Sequence, residues 1–377
     1  MHRLKAEIIK HGIITARPDQ MYGWPGITRA SGQEILVAAS ERKYHICPFG
    51  REVVIRSMDG GKTWGLPQEV YNSELDDRDS NLLTMPDGTL VLTWFTSNAF
   101  EHEMRPEWKP RCDRITQRMR DELIATWLLR SYDKGHTWET TPHRLPVGRH
   151  AGPTLLSDGS LIYIGCQRDN NNDDHMLVYS SQDQETWNKI GEVPAFRLDL
   201  GRKVLLINEN HVLEIAPGRL LTVFRCEQFS GPNHYRDKQY HYEGGLYQSV
   251  SEDNGKTWTE ATPLPMWGYP PHLIRLQSKA ILCAYSHRHE PYSIRAVLSY
   301  DDGKTWDVDN IITLHQWAKH PDMGYPVSLE IEQGEILTVF YCSRQGFTYK
   351  TGQPWEDEAG KKGSTPEGLL FTRWRLT

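Results

Sequence analysis

The sequence predicts an all-β chain folded as a six-bladed β-propeller. One octapeptide recurs: SMDGGKTW at 57–64, SYDKGHTW at 131–138, SEDNGKTW at 251–258 and SYDDGKTW at 299–306. A worn copy, SSQDQETW, occupies 180–187, with Gln184 where the others have Gly. Between these turns a second unit recurs six times, an apolar strand, a turn near Asp-Gly and another apolar strand, starting near 26, 81, 153, 211, 272 and 327. A hairpin followed by a hairpin closed by the octapeptide makes four strands per unit, and six evenly spaced units close into a propeller rather than a sandwich.

Each octapeptide reads as a turn: Ser and Asp offer short acceptors to nearby backbone N–H groups, Gly supplies positive φ, and Trp anchors the turn in an apolar layer. Alternating strands precede it, as in EVVIRS, HMLVYS and IRAVLS. These aspartates are therefore structural. The sixth unit lacks the octapeptide, and GLLFTRWRL at the C-terminus needs a partner, which KAEIIKHGIIT at the N-terminus supplies as the fourth strand that closes the ring. One domain spans 1–377, interrupted by insertions near 98–126, 227–244 and 345–366; the first is charged with a helix-like end. Long loops on a compact scaffold line a site or an interface.

Composition narrows the function. Of 377 residues 38% are hydrophobic and 24% charged, a globular balance. A net charge of −6 without a basic stripe argues against nucleic acid as partner, and no apolar run is long enough to span a membrane. Thirteen Trp and seventeen Tyr suit both β structure and sugar-stacking surfaces. Six cysteines show no metal spacing, and Cys166, Cys226 and Cys283 fall in or beside apolar runs as buried thiols. MHRLKAEIIKHG has no apolar segment with a cleavage site, which makes the cytoplasm the expected compartment, with secretion or the periplasm the alternative if a signal was removed. Oligomeric state is left open.

In a propeller the first strand of each blade lines the axis, so its start and the end of the second strand converge on one face, opposite the octapeptides. The convergent positions are Tyr22, Trp24, Glu41 and Arg42; Asp76, Asp77, Arg78 and Asp79; His150, Arg168 and Asp169; Glu209, His211 and Arg225; His272, His287 and Arg288; and Asp322, Tyr325 and Arg344. Every blade contributes an ionisable group.

The octapeptides resemble the Asp boxes (BNR repeats) of the sialidase superfamily, and the resemblance covers nearly the whole chain. NENHVLEIAPGRLLTVFR at 208–225 is similar to the superfamily's catalytic-Glu strand, which implies Glu209 as that Glu and Arg225 as a member of an arginine triad. GYPVSLEIEQGEIL at 324–337 resembles the stretch carrying the Tyr nucleophile and implies Tyr325 in that role. SER at 40–42 resembles the superfamily's A-E-R, bringing in Arg42, while Arg295 and Arg288 compete for the third arginine. Two departures stand out. Gly23, in YGWPGI, occupies the place of the first triad arginine, and KYHICPFGREVVIRS has no Asp where the acid/base should be.

The resemblance implies a retaining exo-glycosidase acting on a terminal, acidic sugar, with a carbohydrate as its partner and no cofactor or metal. Tyr325 would attack with Glu209 as its base, and Asp79 or His45 would protonate the leaving oxygen. Arg42, Arg225, Arg295, Arg288, His150, His211 and His272 would bind substrate, with Trp24 stacking on a sugar face at the rim. Two other classes remain open: a uronate-type lyase using the pocket His and Tyr residues, and a non-catalytic glycan-binding propeller.

Overall fold

The structure is a computed structural model that describes residues 5–102, 105–148, 152–168, 174–194, 203–230, 243–316, 318, 321–343 and 368–377. The N-terminal strand β1 (Ala6–Thr15) precedes blade one, which is β2 (Met21–Ser31), β3 (Glu34–Arg42), β4 (Arg51–Ser57) and β5 (Gln68–Tyr71). Blade two is β6 (Asp76–Thr84), β7 (Leu90–Ser97), β8 (Thr126–Ser131) and β9 (His143–Leu145). Blade three is β10 (Thr154–Leu155), β11 (Leu161–Arg168), β12 (Asp174–Ser181) and β13 (Asn188–Val193). Blade four is β14 (Lys203–Ala216), β15 (Arg219–Ser230), β16 (Glu243–Ser251) and β17 (Thr262–Pro263). Blade five is β18 (Pro271–Arg275), β19 (Ile281–His287), β20 (Ser293–Ser299) and β21 (Ile312–Gln316). Blade six is β22 (Met323–Glu332), β23 (Glu335–Cys342) and β24 (Gly368–Leu376), completed by β1, which pairs antiparallel with β24 from Ala6↔Leu376 to Thr15↔Leu369. The ring is thus closed by joining the two ends of the chain in one sheet, as the sequence predicts.

A blade is apolar on both faces, so each sheet buries itself against the next. Among the described residues the apolar cores fall between neighbouring blades. Val37, Val53 and Ile55 of blade one meet Leu337, Val339 and Phe371 of blade six, and Leu36 and Ala38 meet Leu82, Leu92 and Trp94 of blade two. The same pattern continues around the ring.

The Asp boxes join third strands to fourth strands. In the first, Asp59 Oδ1 accepts from Lys62 N at 3.0 Å and Thr63 N at 2.9 Å, Asp59 Oδ2 from Thr63 Oγ1 at 2.6 Å, and Ser57 Oγ from Gly61 N at 2.8 Å. These bonds, the Thr63 hydroxyl foremost, hold the Asp59 carboxyl down at about 2. The glycine at the fifth position of the box is a spacer. A Cβ on Gly61 would stand 2.8 Å from Leu337 of blade six, one on Gly255 2.6 Å from Ile162 of blade three, and one on Gly303 2.7 Å from Leu221 of blade four. Each box therefore lets its blade approach the preceding one. The worn copy is one residue shorter than its alignment with the others suggests: Asp183 accepts from Thr186 N, three residues on rather than four, and Gln184 itself adopts φ 65°.

The insertion after β7 forms 3-10 turns at Ala99–His102 and Pro106–Trp108 and helices α1 (Lys109–Cys112) and α2 (Gln117–Leu123). It packs Phe100, Trp108 and Ile115 on Cys47 and Leu75, backing the β3–β4 loop. Most of the 227–244 insertion and all of the 345–366 insertion lie outside the described residues. None of the six cysteines is joined in a disulfide. Among the described residues no helix is long and apolar enough to cross a membrane.

Candidate active site

The octapeptide turns sit at one end of the strands, and the opposite end carries the site. There four inner strands are interrupted by a bulge with a non-glycine residue at positive φ: Trp24 (52°) in β2, Asp79 (64°) in β6, Glu209 (47°) in β14 and Tyr325 (49°) in β22. Such backbone is costly for a side-chain-bearing residue and persists where the surroundings impose it. The bulged residues meet around an axial cavity of about 70 Å³, whose wall also includes Asn81, His211 and His272.

Tyr325 and Glu209, 116 positions apart in sequence, are joined by a hydrogen bond from the phenol to Glu209 Oε1. The other carboxylate oxygen accepts from Arg225 Nη1 at 2.6 Å, across the bulged β14–β15 pair. Burial, reinforced by the negative charges of Glu209 and Asp79, pushes the Tyr325 phenol well above its ordinary value against the opposing pull of Arg225 and Arg288. The nucleophile candidate is a neutral phenol at rest, with its proton already directed at a carboxylate.

The arginines are individually engaged. Arg225 lies 4.1 Å over the Tyr269 ring, and Arg288 lies 5.5 Å over Tyr269 and 5.8 Å over Tyr325. Arg288 Nε donates to Met323 O at 3.2 Å, while its Nη2 has no hydrogen-bond partner among the described residues. Arg78 stands 3.6 Å from both Asp76 and Asp79.

Several expectations are corrected by placement. Arg42 does not face the cavity: its side chain has no exposed surface, it pairs with fully buried Asp76, and it lies 4.6 Å over Trp24. Trp24 offers no open face to a sugar, because it is 1% exposed and both Arg42 and Arg78 (4.2 Å) lie over its ring. Arg295 is on the third strand of blade five, where its Nε donates to Ser293 Oγ at 3.1 Å; Arg288, not Arg295, reaches Tyr325. Tyr22 and Glu41 point away from the axis, Tyr22 into the core between blades one and six and Glu41 to Arg51 at 2.8 Å.

His211 and His272 do line the cavity, their rings 4.2 Å apart. Each Nδ1 accepts a backbone N–H from the next blade at 3.3 Å, from Leu273 and Ser328 respectively. Burial lowers His211 to about 4 and His272 well below its ordinary value, the latter helped by its neighbour, so both are neutral braces between inner strands. His45, in the β3–β4 loop, reaches Asp322 and is edge-on to Trp24. His150, Asp169 and Arg344 lie outside the described residues, as does the Arg168 side chain. Among the described residues no group of three or more His, Cys, Asp or Glu side chains is placed to hold a metal ion.

Two aromatic residues escaped the sequence reading: Tyr341, whose hydroxyl donates to Asp322 at 2.8 Å, and Tyr269 beneath the arginines. A signal existed for both. GYP occurs at 268–270 as well as at 324–326, and the second strands of blades five and six end alike, in AYSHR and FYCSR.

The fold has known counterparts. A protein of unknown function from Dyadobacter fermentans superposes with a TM-score of 0.73 at 19% identity, over 99% of each chain. An α-L-arabinanase from Penicillium chrysogenum, solved with arabinobiose, gives 0.62 at 13% identity over 97% of this chain and 98% of its own. A sialidase from Streptococcus pneumoniae gives 0.62 at 12% identity over 97% of this chain and 70% of its own. No curated protein sequence matches the chain. Six radial blades, Asp-box turns at one end and a bulged, charged hollow at the other agree with the sequence match over residues 50–338: the chain belongs to the BNR repeat-like domain family.

Proposed function

We propose that this protein is a sialidase-like glycoside hydrolase that removes a terminal, acidic sugar with retention of configuration. The observation that carries the reading is the chain Tyr325–Glu209–Arg225 at the axial cavity. The Tyr325 oxygen attacks the anomeric carbon while its proton passes to Glu209, and the bond to the leaving oxygen breaks as a second pocket group protonates that oxygen. Water then cleaves the tyrosyl glycoside and Glu209 returns the proton to the phenol. A neutral nucleophile avoids repulsion with an anionic sugar. Arg288, whose Nη2 has no hydrogen-bond partner among the described residues, and Arg225 beside it favour a substrate carboxylate at this position. Structural likeness to a sialidase and an arabinanase supports a carbohydrate substrate.

The test is a panel of sialosides, uronides, arabinosides and rhamnosides followed by proton NMR of the first product. Release of a reducing sugar with the anomeric configuration of the substrate supports the reading. An inverted product overturns the mechanism, and an unsaturated, ultraviolet-absorbing product makes the protein a lyase.

A further inference from the structure

The β3–β4 loop holds no aspartate, yet it places one imidazole in a defined state behind Trp24, a residue of the cavity wall. His45 Nδ1 is 2.9 Å from Asp322 Oδ1, and the Tyr341 hydroxyl donates to the same oxygen at 2.8 Å. Tyr341 is a neutral phenol, raised well above its ordinary value by burial and by Asp322. A carboxylate only accepts, so Nδ1 carries a hydrogen whether the ring is neutral or charged, and Nε2 is the nitrogen left for chemistry. Nε2 has no hydrogen-bond partner among the described residues, and the side chain is 21% exposed. The ring stands edge-on to Trp24 at 5.1 Å, and Trp24 stands edge-on to Tyr325 at 6.1 Å, so one indole separates the imidazole from the nucleophile candidate. Among the described residues the charged and titratable groups around this pair include Asp322 and Tyr341 from blade six, Arg288 and Glu209 acting on Tyr341, Arg42 and Arg78 over Trp24, and Tyr325 beyond it. Asp79, the other acid available, is 3.6 Å from Arg78 Nε, and its charge acts on Tyr325, on the nucleophile's side.

We propose that His45 is the general acid–base of this pocket and Asp322 its positioning residue, an inference that rests on the glycosidase reading. In the first step the imidazolium gives the Nε2 proton to the leaving oxygen as the C–O bond breaks and the Tyr325–carbon bond forms. In the second, neutral Nε2 takes a proton from the water that displaces Tyr325, and the phenol recovers its own from Glu209. Asp322 holds the hydrogen on Nδ1, which makes the shuttle available at Nε2.

Two measurements decide it. Nitrogen-15 NMR of histidine-labelled protein should show neutral His45 protonated at Nδ1, and Asp322→Ala should shift it towards Nε2–H; an Nε2–H ring in the wild type, or no change in the variant, overturns the pair. Kinetically, His45→Ala should lose about 10²–10⁴-fold on a saccharide leaving group but less than about 10-fold on a dinitrophenyl glycoside, whose leaving oxygen needs little protonation. Asp322→Ala should show the same leaving-group pattern with a smaller loss, while Tyr325→Phe should lose both substrates. Equal losses on both leaving groups in His45→Ala overturn the acid role. Circular dichroism and melting temperature establish that each variant folds, and His45→Ala decides the matter if Asp322→Ala does not. A wild-type protein inert on every glycoside removes the glycosidase reading, and with it the acid role, while the tautomer measurement still judges the His45–Asp322 contact.

Discussion

Tyr325 holds its proton because burial and two neighbouring carboxylates oppose the phenolate, so in the proposed mechanism it would gain nucleophilicity only as Glu209 takes the proton. Tyr325→Phe and Glu209→Gln should each lower kcat by at least about 10³-fold while leaving the melting temperature within a few degrees, since neither removes an apolar contact. Activity within a few-fold of wild type in either ends the mechanism. A second residue-scale prediction concerns Glu52, which is fully buried, accepts from Ser40 and Ser80, and is raised from 4.5 to about 8, by desolvation first and by Asp77 next. Asp77 is itself raised to about 6, again by burial. A raised folded-state value gives stability that is complete below the unfolded value and is lost as pH rises through the folded one. Wild type should therefore lose melting temperature relative to Glu52→Gln as pH goes from about 5 to about 8, and a pH-independent difference would refute the assignment.

At the scale of the element, the octapeptides fix blade spacing. Gly255 has φ 84° and no room for a Cβ beside Ile162. Gly255→Ala combines left-handed strain with overpacking between blades and should cost about 1–3 kcal/mol, read as a lower denaturant midpoint with unchanged slope. An unshifted midpoint would show that the interface yields freely. The inner-strand bulges are the other decisive elements, and these were not legible. GYP occurs in blades five and six, yet only β22 bulges between Gly324 and Val327 and turns its tyrosine to Glu209; Tyr269 is buried beneath Arg225. Tyr22 and Arg42 fall among the convergent positions by their place at the start of the first strand and the end of the second, and position along a strand does not set which way a side chain points.

For the whole ring, blades four, five and six are braced through His211 and His272, whose Nδ1 atoms accept amides of the next inner strand. Both are lowered by burial, His211 to about 4, and His287 and His315 are likewise brought to about 4. A lowered folded-state value gives stability that is present above the unfolded value and is lost as pH falls through the folded one. As pH drops from about 6.5 to about 4 these histidines should lower the melting temperature, against the opposite contribution of Glu52 and Asp77, and hydrogen-exchange protection at Leu273 and Ser328 should be lost ahead of the other inner-strand amides. Uniform loss around the ring would refute the brace.

The sequence by itself determined the architecture. Six apolar hairpins and the Asp-Gly turns between them are local patterns, set by alternation and turn chemistry, and the need of KAEIIKHGIIT and GLLFTRWRL for partners left ring closure as the consistent pairing. Resemblance then singled out Glu209, Arg225 and Tyr325, which the fold brings into one hydrogen-bonded chain. Only the tertiary structure decided that Arg288 rather than Arg295 reaches Tyr325, that Trp24 is a support under two guanidinium groups, and that His45 meets Asp322 across 277 positions. The reason is physical: turns and strands follow from neighbours in sequence, whereas a side chain's direction at the axis depends on bulges and on the charges that five other blades bring to the same hollow.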